Sequence, residues 1–288
     1  MKINIRALCD IGIERINNED AVAVCRDLTN PMNCSLHTDG YVKMSRFGSL
    51  AVVADGMGGA NAGEIASKLA IESIVESFRE ANLSQVLTSD SAICSFLREC
   101  MAKSNQTIMN YVIESPDSIG LGTTIVLLWL VEDKAYVTWC GDSRCYCFNP
   151  DNGLTLLTKD HSLVQEMVDR GEITQEQSFR HPDNNIITRC LGDVDADPDP
   201  EFLIQSIADG DIFLLCSDGL CGYCPDREIE KLMYRHFDDI DQCQSALLNL
   251  ALKAGGQDNI SISLCATLPD CLSTPKVGFK TKIKRLFS

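Results

Sequence analysis

Apolar residues follow two rhythms along this chain. The stretches from Ile3 to Ile11 and from Ala21 to Cys25 have strand character, and Leu50-Ala51-Val52-Val53-Ala54 is a short apolar run that should be cut off by Asp55-Gly56. Between Glu64 and Phe78 the rhythm changes, with Ile65, Leu69, Ile74, Val75 and Phe78 at helical spacing, and the segment from Ser91 to Ile113 repeats it. Two long amphipathic helices are expected. Strands return at Thr123 to Val131, Ala135 to Cys140, Cys145 to Phe148 and Leu154 to Leu157, separated by the turns Glu132-Asp133-Lys134 and Asp151-Asn152-Gly153. Such a meander is largely antiparallel.

Ser162 with Gln165 and Thr174 with Gln177 are both spaced as capping boxes, so two short helices should flank Gly171 in a small helical insert that runs to about Arg189. Beyond it come strands from Phe202 to Ile207 and Ile212 to Cys216, helices near Asp226 to His236 and Ile240 to Ala254, and a last strand from Asn259 to Ala266. Strands and helices are grouped in blocks rather than alternating, which favours packed sheets covered by helices over a doubly wound parallel sheet. The class is α+β. At 288 residues and 45% apolar, the chain suits one large domain with a substantial core.

Charge narrows the function. A formal net charge of −16 opposes binding to nucleic acid or an anionic membrane, because affinity for phosphate groups is built from clustered Lys and Arg. An acidic protein that handles phosphate must bring cations. The exception is the tail, where Lys276, Lys280, Lys282, Lys284 and Arg285 alternate with Phe279, Ile283, Leu286 and Phe287. A frayed or self-docking terminus is the favoured reading there over membrane or partner contact. No stretch has the length of a membrane span and the start lacks a signal peptide's apolar region, so a cytoplasmic protein is expected. Most of the fifteen cysteines lie in apolar runs and read as reduced core thiols. Cys221 and Cys224 have redox or zinc spacing, but no second pair completes a zinc site.

Acidic residues recur at expected strand ends, in Asn18-Glu19-Asp20, Asp55-Gly56-Met57-Gly58-Gly59, Ser217-Asp218-Gly219 and Asp258-Asn259. A glycine beside the acid lets backbone approach an ion and frees a carbonyl to bind it, while hard Mg²⁺ or Mn²⁺ prefers oxygen ligands. Singly, each of these motifs is better explained as a turn. Their order carries more: Arg15, Asn18-Glu19-Asp20, the Asp55 motif, Gly122-Thr123-Thr124, Gly141-Asp142-Ser143-Arg144, Ser217-Asp218-Gly219, then Gly256-Gln257-Asp258-Asn259. This ordered set resembles the metal-dependent, type 2C serine/threonine protein phosphatases, the PPM family, over nearly the whole chain. The segment from Asp160-His161-Ser162-Leu163 to Arg189-Cys190-Leu191-Gly192 is similar to the flap of bacterial members.

The resemblance implies a central antiparallel β-sandwich between helical layers, α-β-β-α, with a phosphatase domain over 1–267, a flap at about 160–191 and a basic tail over 268–288. It implies Mn²⁺ or Mg²⁺ at two tight sites and a third weaker one, and a metal-activated water that attacks phosphoserine or phosphothreonine without a covalent phosphoenzyme. Asp55 would bridge the two metals, the Gly56 carbonyl would bind one of them, and Asp218 and Asp258 would complete the direct ligands. Asp20 would help hold the metal waters, Asp142 would bind the third cation, and Arg15 would clamp the substrate phosphate with its planar guanidinium. Many eukaryotic members carry His where this chain has Met57, which cannot donate a proton. Phosphorylated proteins, the products of a serine/threonine kinase, are the implied partners, and a monomer is expected. The rival readings are a catalytically weak adaptor of the same fold that binds phosphoproteins, and a phosphatase of small phosphorylated molecules.

Overall fold

The computed structural model describes residues 1–30, 40–58, 62–115, 120–194 and 196–268. One sheet is built from β1 (Lys2–Asp10), β3 (Val42–Lys43), β8 (Arg144–Asn149), β9 (Gly153–Leu156), β11 (Ile212–Cys216) and β12 (Ile260–Leu268), in the order β3-β1-β12-β11-β8-β9. The other holds β2 (Asp20–Cys25), β4 (Ser49–Met57), β6 (Ile125–Val131), β7 (Lys134–Cys140) and β10 (Glu201–Ser206), in the order β10-β7-β6-β4-β2, with β5 (Gly122–Thr123) paired to the end of β4. Every strand pairing is antiparallel.

The period of two in each strand sorts side chains into three apolar layers. In β4, Leu50, Val52 and Ala54 face α1 (Ala62–Glu80) and α3 (Asp90–Glu114), whereas Ala51 and Val53 face the opposite sheet. In β6, Ile125, Leu127, Trp129 and Val131 share the helix-facing layer, and Val126, Leu128 and Leu130 the layer between the sheets. Across the sandwich, Phe213 and Leu215 point inward while Ile212, Leu214, Ile262 and Leu264 meet α7 (Asp226–His236) and α8 (Ile240–Lys253). A strand covered on both faces must be apolar at every position, which is why β6 lacks the alternation of a half-exposed strand. The result is the packed-sheet architecture that the block pattern favoured, in the α-β-β-α arrangement that the family resemblance implied.

Trp129 is fully buried, packs edge-on against Phe78 with ring centroids 5.0 Å apart, and donates its indole N–H to the Phe47 carbonyl at 2.8 Å. α3 begins where Ser89 accepts a hydrogen bond from the Ala92 N–H at 3.1 Å. Four details depart from expectation. β4 does not stop at Asp55 but continues to Met57, because Gly56 and Met57 pair with Thr123 and Gly122. The expected strand from Thr123 breaks at Thr124 into β5 and β6. Ser162 caps α4 (Leu163–Asp169) through its hydroxyl, but the reciprocal box forms only at Thr174 and Gln177, ahead of α5 (Gln175–Ser178). α2 (Leu83–Val86) and α6 (Asp218–Cys221) are single turns too short for periodicity to register.

Cys221 and Cys224 are buried free thiols, as are Cys140, Cys145 and Cys216, whereas Cys25 is disulfide-bonded. Among the described residues no helix is long and apolar enough to cross a membrane. The basic tail and Gly59 lie outside the described residues.

Candidate active site

Asp20 and Asp55 are direct cross-strand partners on β2 and β4. Like charges placed opposite one another destabilise a sheet, so this register needs a compensating cause. It is fixed by backbone contacts. The Asp55 carbonyl accepts from the Thr124 N–H and the Thr123 hydroxyl, each at 2.8 Å, and the Gly56 N–H donates to the Glu19 carbonyl at 3.1 Å. A Cβ on Gly56 would lie 2.0 Å from the Gly63 carbonyl oxygen, so only glycine lets the start of α1 pass this closely. The Gly122-Thr123-Thr124 motif thus buttresses the backbone under Asp55.

Asp218 opens α6 two residues after the end of β11, and Asp258 lies two residues before the start of β12. Gly219 permits the close crossing of these two segments, since a Cβ there would lie 1.9 Å from the Asn259 carbonyl oxygen. Asp142 occupies the turn between β7 and β8 and is buried. Arg15, exposed in the β1–β2 loop, donates to Asp258 Oδ2 at 2.7 Å, with Glu19 at 4.0 Å. The fold therefore gathers Arg15, Asp20, Asp55, Gly56, Asp218 and Asp258 at one end of the sandwich, and Asp142 contributes to the field around Asp55.

Electrostatics mark this group as unfinished. Burial, only partly offset by hydrogen bonds from Ser217 and Ser261, raises Asp20 from 3.8 to about 7, and burial with the charge of Asp258 raises Asp218 to about 6. Asp55 is pushed well above the carboxylate range by burial and by Asp20, Asp218, Asp142 and Asp258. Asp142 is raised by burial, Asp218 and Asp160. Asp20 Oδ1, Asp142 Oδ1 and Asp218 Oδ1 are buried without a hydrogen-bond partner among the described residues. Buried anionic oxygens left bare are costly unless a cation joins them, and hard oxygen donors suit Mg²⁺ or Mn²⁺. Among the described residues no three Asp, Glu, His or Cys side chains already close into a cage. A Mg²⁺-like ion does not need one, because it binds one or two carboxylates and keeps several waters. The donor set fits such ions.

Several contacts could not be read from spacing. Asn259 is fully committed to the β1–β2 loop, accepting from the Glu19 N–H at 2.8 Å and donating to the Ile11 and Asn17 carbonyls at 3.0 and 2.9 Å, so it organises backbone rather than a water or phosphate. Ser217 donates to Asp20 Oδ2 at 2.7 Å. Its only signal was its place before Asp218. Tyr223, whose hydroxyl feels Asp218, Asp258 and Arg15, also borders the site and carried no motif. His161 is buried, and its Nδ1 accepts from the Gly141 N–H at 3.1 Å, which makes it a support of the Asp142 turn. Arg144 does not pair with Asp142. Its guanidinium forks onto Asp160 at 2.8 and 2.6 Å and reaches Asp226 at 3.5 Å.

Residues 35–254 match the family model of protein phosphatase 2C. The chain belongs to that family. Among relatives of this 2C phosphatase, the serine/threonine phosphatase stp of Listeria monocytogenes is 33% identical over 215 residues, covering 75% of this chain and 83% of the relative. The crystal structure of the Mycobacterium tuberculosis serine/threonine phosphatase PstP/Ppp superposes with a TM-score of 0.76 at 29% identity, covering 93% of this chain and 100% of that one. The PstP catalytic domain solved in complex with two manganese ions gives a TM-score of 0.73 at 29% identity, over 93% of this chain and 99% of that one.

Proposed function

We propose that this metal-dependent serine/threonine phosphatase of the 2C family hydrolyses phosphoserine and phosphothreonine in proteins at the carboxylate cluster around Asp55. Asp55, Asp218, Asp258 and the Gly56 carbonyl would hold two divalent ions, Mn²⁺ or Mg²⁺, with Asp20 orienting their waters and Asp142 serving a third, weaker cation. The observation that carries this reading is the set of buried carboxylate oxygens on Asp20, Asp142 and Asp218 with no partner among the described residues. When bound, the ions supply an activated water and offset charge on the transferring phosphoryl group.

The chain's own groups do the rest. Arg15 sits at the rim with a planar fork suited to two phosphate oxygens, and Asp258 holds that fork beside the cluster. Ser217 and Asn259 fix Asp20 and the β1–β2 loop from behind. Met57 has no proton to give, and His161 is held in the flap base with Nδ1 accepting from the Gly141 N–H and Nε2 facing Glu201 at 3.4 Å, so water is the favoured source of the leaving-group proton. Thiol chemistry is disfavoured: burial holds Cys9, which touches the Asp20 carbonyl, at about 11.

Residues 1–267 act as one catalytic domain with the flap at about 160–191, the enzyme works as a monomer in the cytoplasm, and its substrates are products of a serine/threonine kinase. The complete acid set and relatives named as phosphatases argue against the adaptor reading. Calorimetric titration of Mn²⁺ into chelator-stripped protein tests the site. Two tight equivalents are expected in the wild type and fewer in Asp218→Asn; absence of tight binding in the wild type would refute the ligand assignment.

A further inference from the structure

A cavity of about 450 Å³ opens against Asp142 and Asp218, within the usual size of a ligand site. Its walls are the flap, the Asp142–Arg144 turn and the segment from Cys221 into the first turn of α7. Three arginines line it: Arg144, Arg180 and Arg227. Arg144 is committed to Asp160 and Asp226. The side chains of Arg180 and Arg227 are exposed and have no ion pair or hydrogen bond among the described residues. Scarcity of acids does not explain this in a chain of net charge −16, where Arg6, Arg79, Arg170 and Arg189 each sit on a carboxylate. Glu176 lines the same cavity and pairs with neither. Two free guanidinium groups therefore face a space that begins at the acid cluster.

We propose that this cavity is a second anion subsite, which takes an acidic or phosphorylated side chain flanking the residue being dephosphorylated. Arg180 of the flap and Arg227 of α7 are its specificity-determining groups. The proposal rests on the phosphatase reading of the neighbouring carboxylates. The chain carries −16 overall and the cavity wall also includes Asp160, Glu176 and Asp226, of which Asp160 and Asp226 are offset by Arg144, so an anionic flank that reaches Arg180 and Arg227 meets two unpaired cations, which selects sequence as well as adding affinity. The guanidinium fork matches phosphate better than a point charge would, which ranks a second phosphate above a carboxylate. Phe179 and Tyr223, both half-buried, supply apolar wall for the intervening peptide.

The test uses phosphothreonine peptides of one length with neutral flanks, with glutamate, or with a second phosphothreonine, placed in turn on each side. With the full chain and Mn²⁺, kcat/KM should exceed the neutral value by roughly tenfold for one glutamate position, and by more for the second phosphate. In Arg180→Ala/Arg227→Ala that ratio should fall to about one, and in Arg180→Glu/Arg227→Glu it should invert. A wild-type ratio near one at every position, or a preference that survives the double variant, overturns the subsite. Fluorescence anisotropy of the same labelled peptides separates the two readings. Arginine-dependent binding without phosphate release would leave the subsite and remove the phosphatase reading. Turnover without arginine-dependent preference would do the reverse.

Discussion

Two groups of charge lie side by side in this enzyme and are built in opposite ways. Around Arg144 the charges are matched: its fork meets both oxygens of Asp160, Tyr146 donates to Asp226 at 2.9 Å, and Asp226 reaches back to the guanidinium. Around Asp55 four further carboxylates contribute to one field, and among the described residues the cation paired directly with them is Arg15, exposed at the rim, while Arg144 acts on Asp142 without pairing to it. A matched cluster ties elements together, here the Asp142 turn, the base of the flap and the start of α7. An unmatched one is a standing demand for cations, and its cost persists only because backbone bonds at Thr123, Thr124 and Asn259 fix the acids in place. On the proposed reading the first group is structural and the second does chemistry.

The largest effect expected from that difference is on turnover. Asp218→Asn and Asp258→Asn should each lower phosphate release by on the order of 10²-fold or more while the chain stays folded, because each removes an anionic ligand and relieves repulsion. Wild-type rates in both variants would erase the contrast. In the matched group the loss should fall on stability: Arg144→Leu strands half-buried Asp160 without its cation and should cost up to about 3 kcal/mol in denaturant unfolding. A cost near zero would mean the clamp is not a structural tie.

The pH response sharpens the comparison further. Asp20 at about 7 and Asp218 at about 6 lie above the ordinary value of 3.8, so in metal-free protein their stabilising protonation is complete below that value and is lost as pH rises through 6 to 7. Thermal melts of chelated protein should therefore fall by several degrees from pH 5 to 8, and Mn²⁺ should restore most of the loss at pH 8. A flat profile without metal would contradict the unmatched cluster. The smallest effect belongs to Asp142→Ala, which should shift the Mn²⁺ activation curve and lower turnover roughly tenfold with little change in Tm. A loss of stability with an unaltered activation curve would return Asp142 to a structural role.

Much of this contrast was legible in the chain before its fold. The period of 3.6 in α1 and α3 and the apolar runs of the strands marked these elements, their grouping in blocks marked packed sheets under helices, and the layered sandwich followed from the family resemblance. The acids at 20, 55, 218 and 258 announced themselves through the order of their motifs, and those at 55 and 218 also through an adjacent glycine. What stayed hidden were pairings between distant segments. Nothing local distinguishes an Arg144 that serves Asp142 from one that serves Asp160, sixteen positions on, or shows that the Asn259 side chain is spent on the Glu19, Ile11 and Asn17 backbone. The extension of β4 through Asp55 was hidden for the same reason, since it depends on β5 arriving from 65 residues away.

The central claim is that cations complete the unmatched carboxylates and make them catalytic. Phosphate release from a phosphothreonine peptide, followed while Mn²⁺ is titrated into protein held in chelator, tests it most directly. The account predicts no turnover in excess EDTA and a saturable rise as free Mn²⁺ appears, and undiminished turnover in excess EDTA would contradict it.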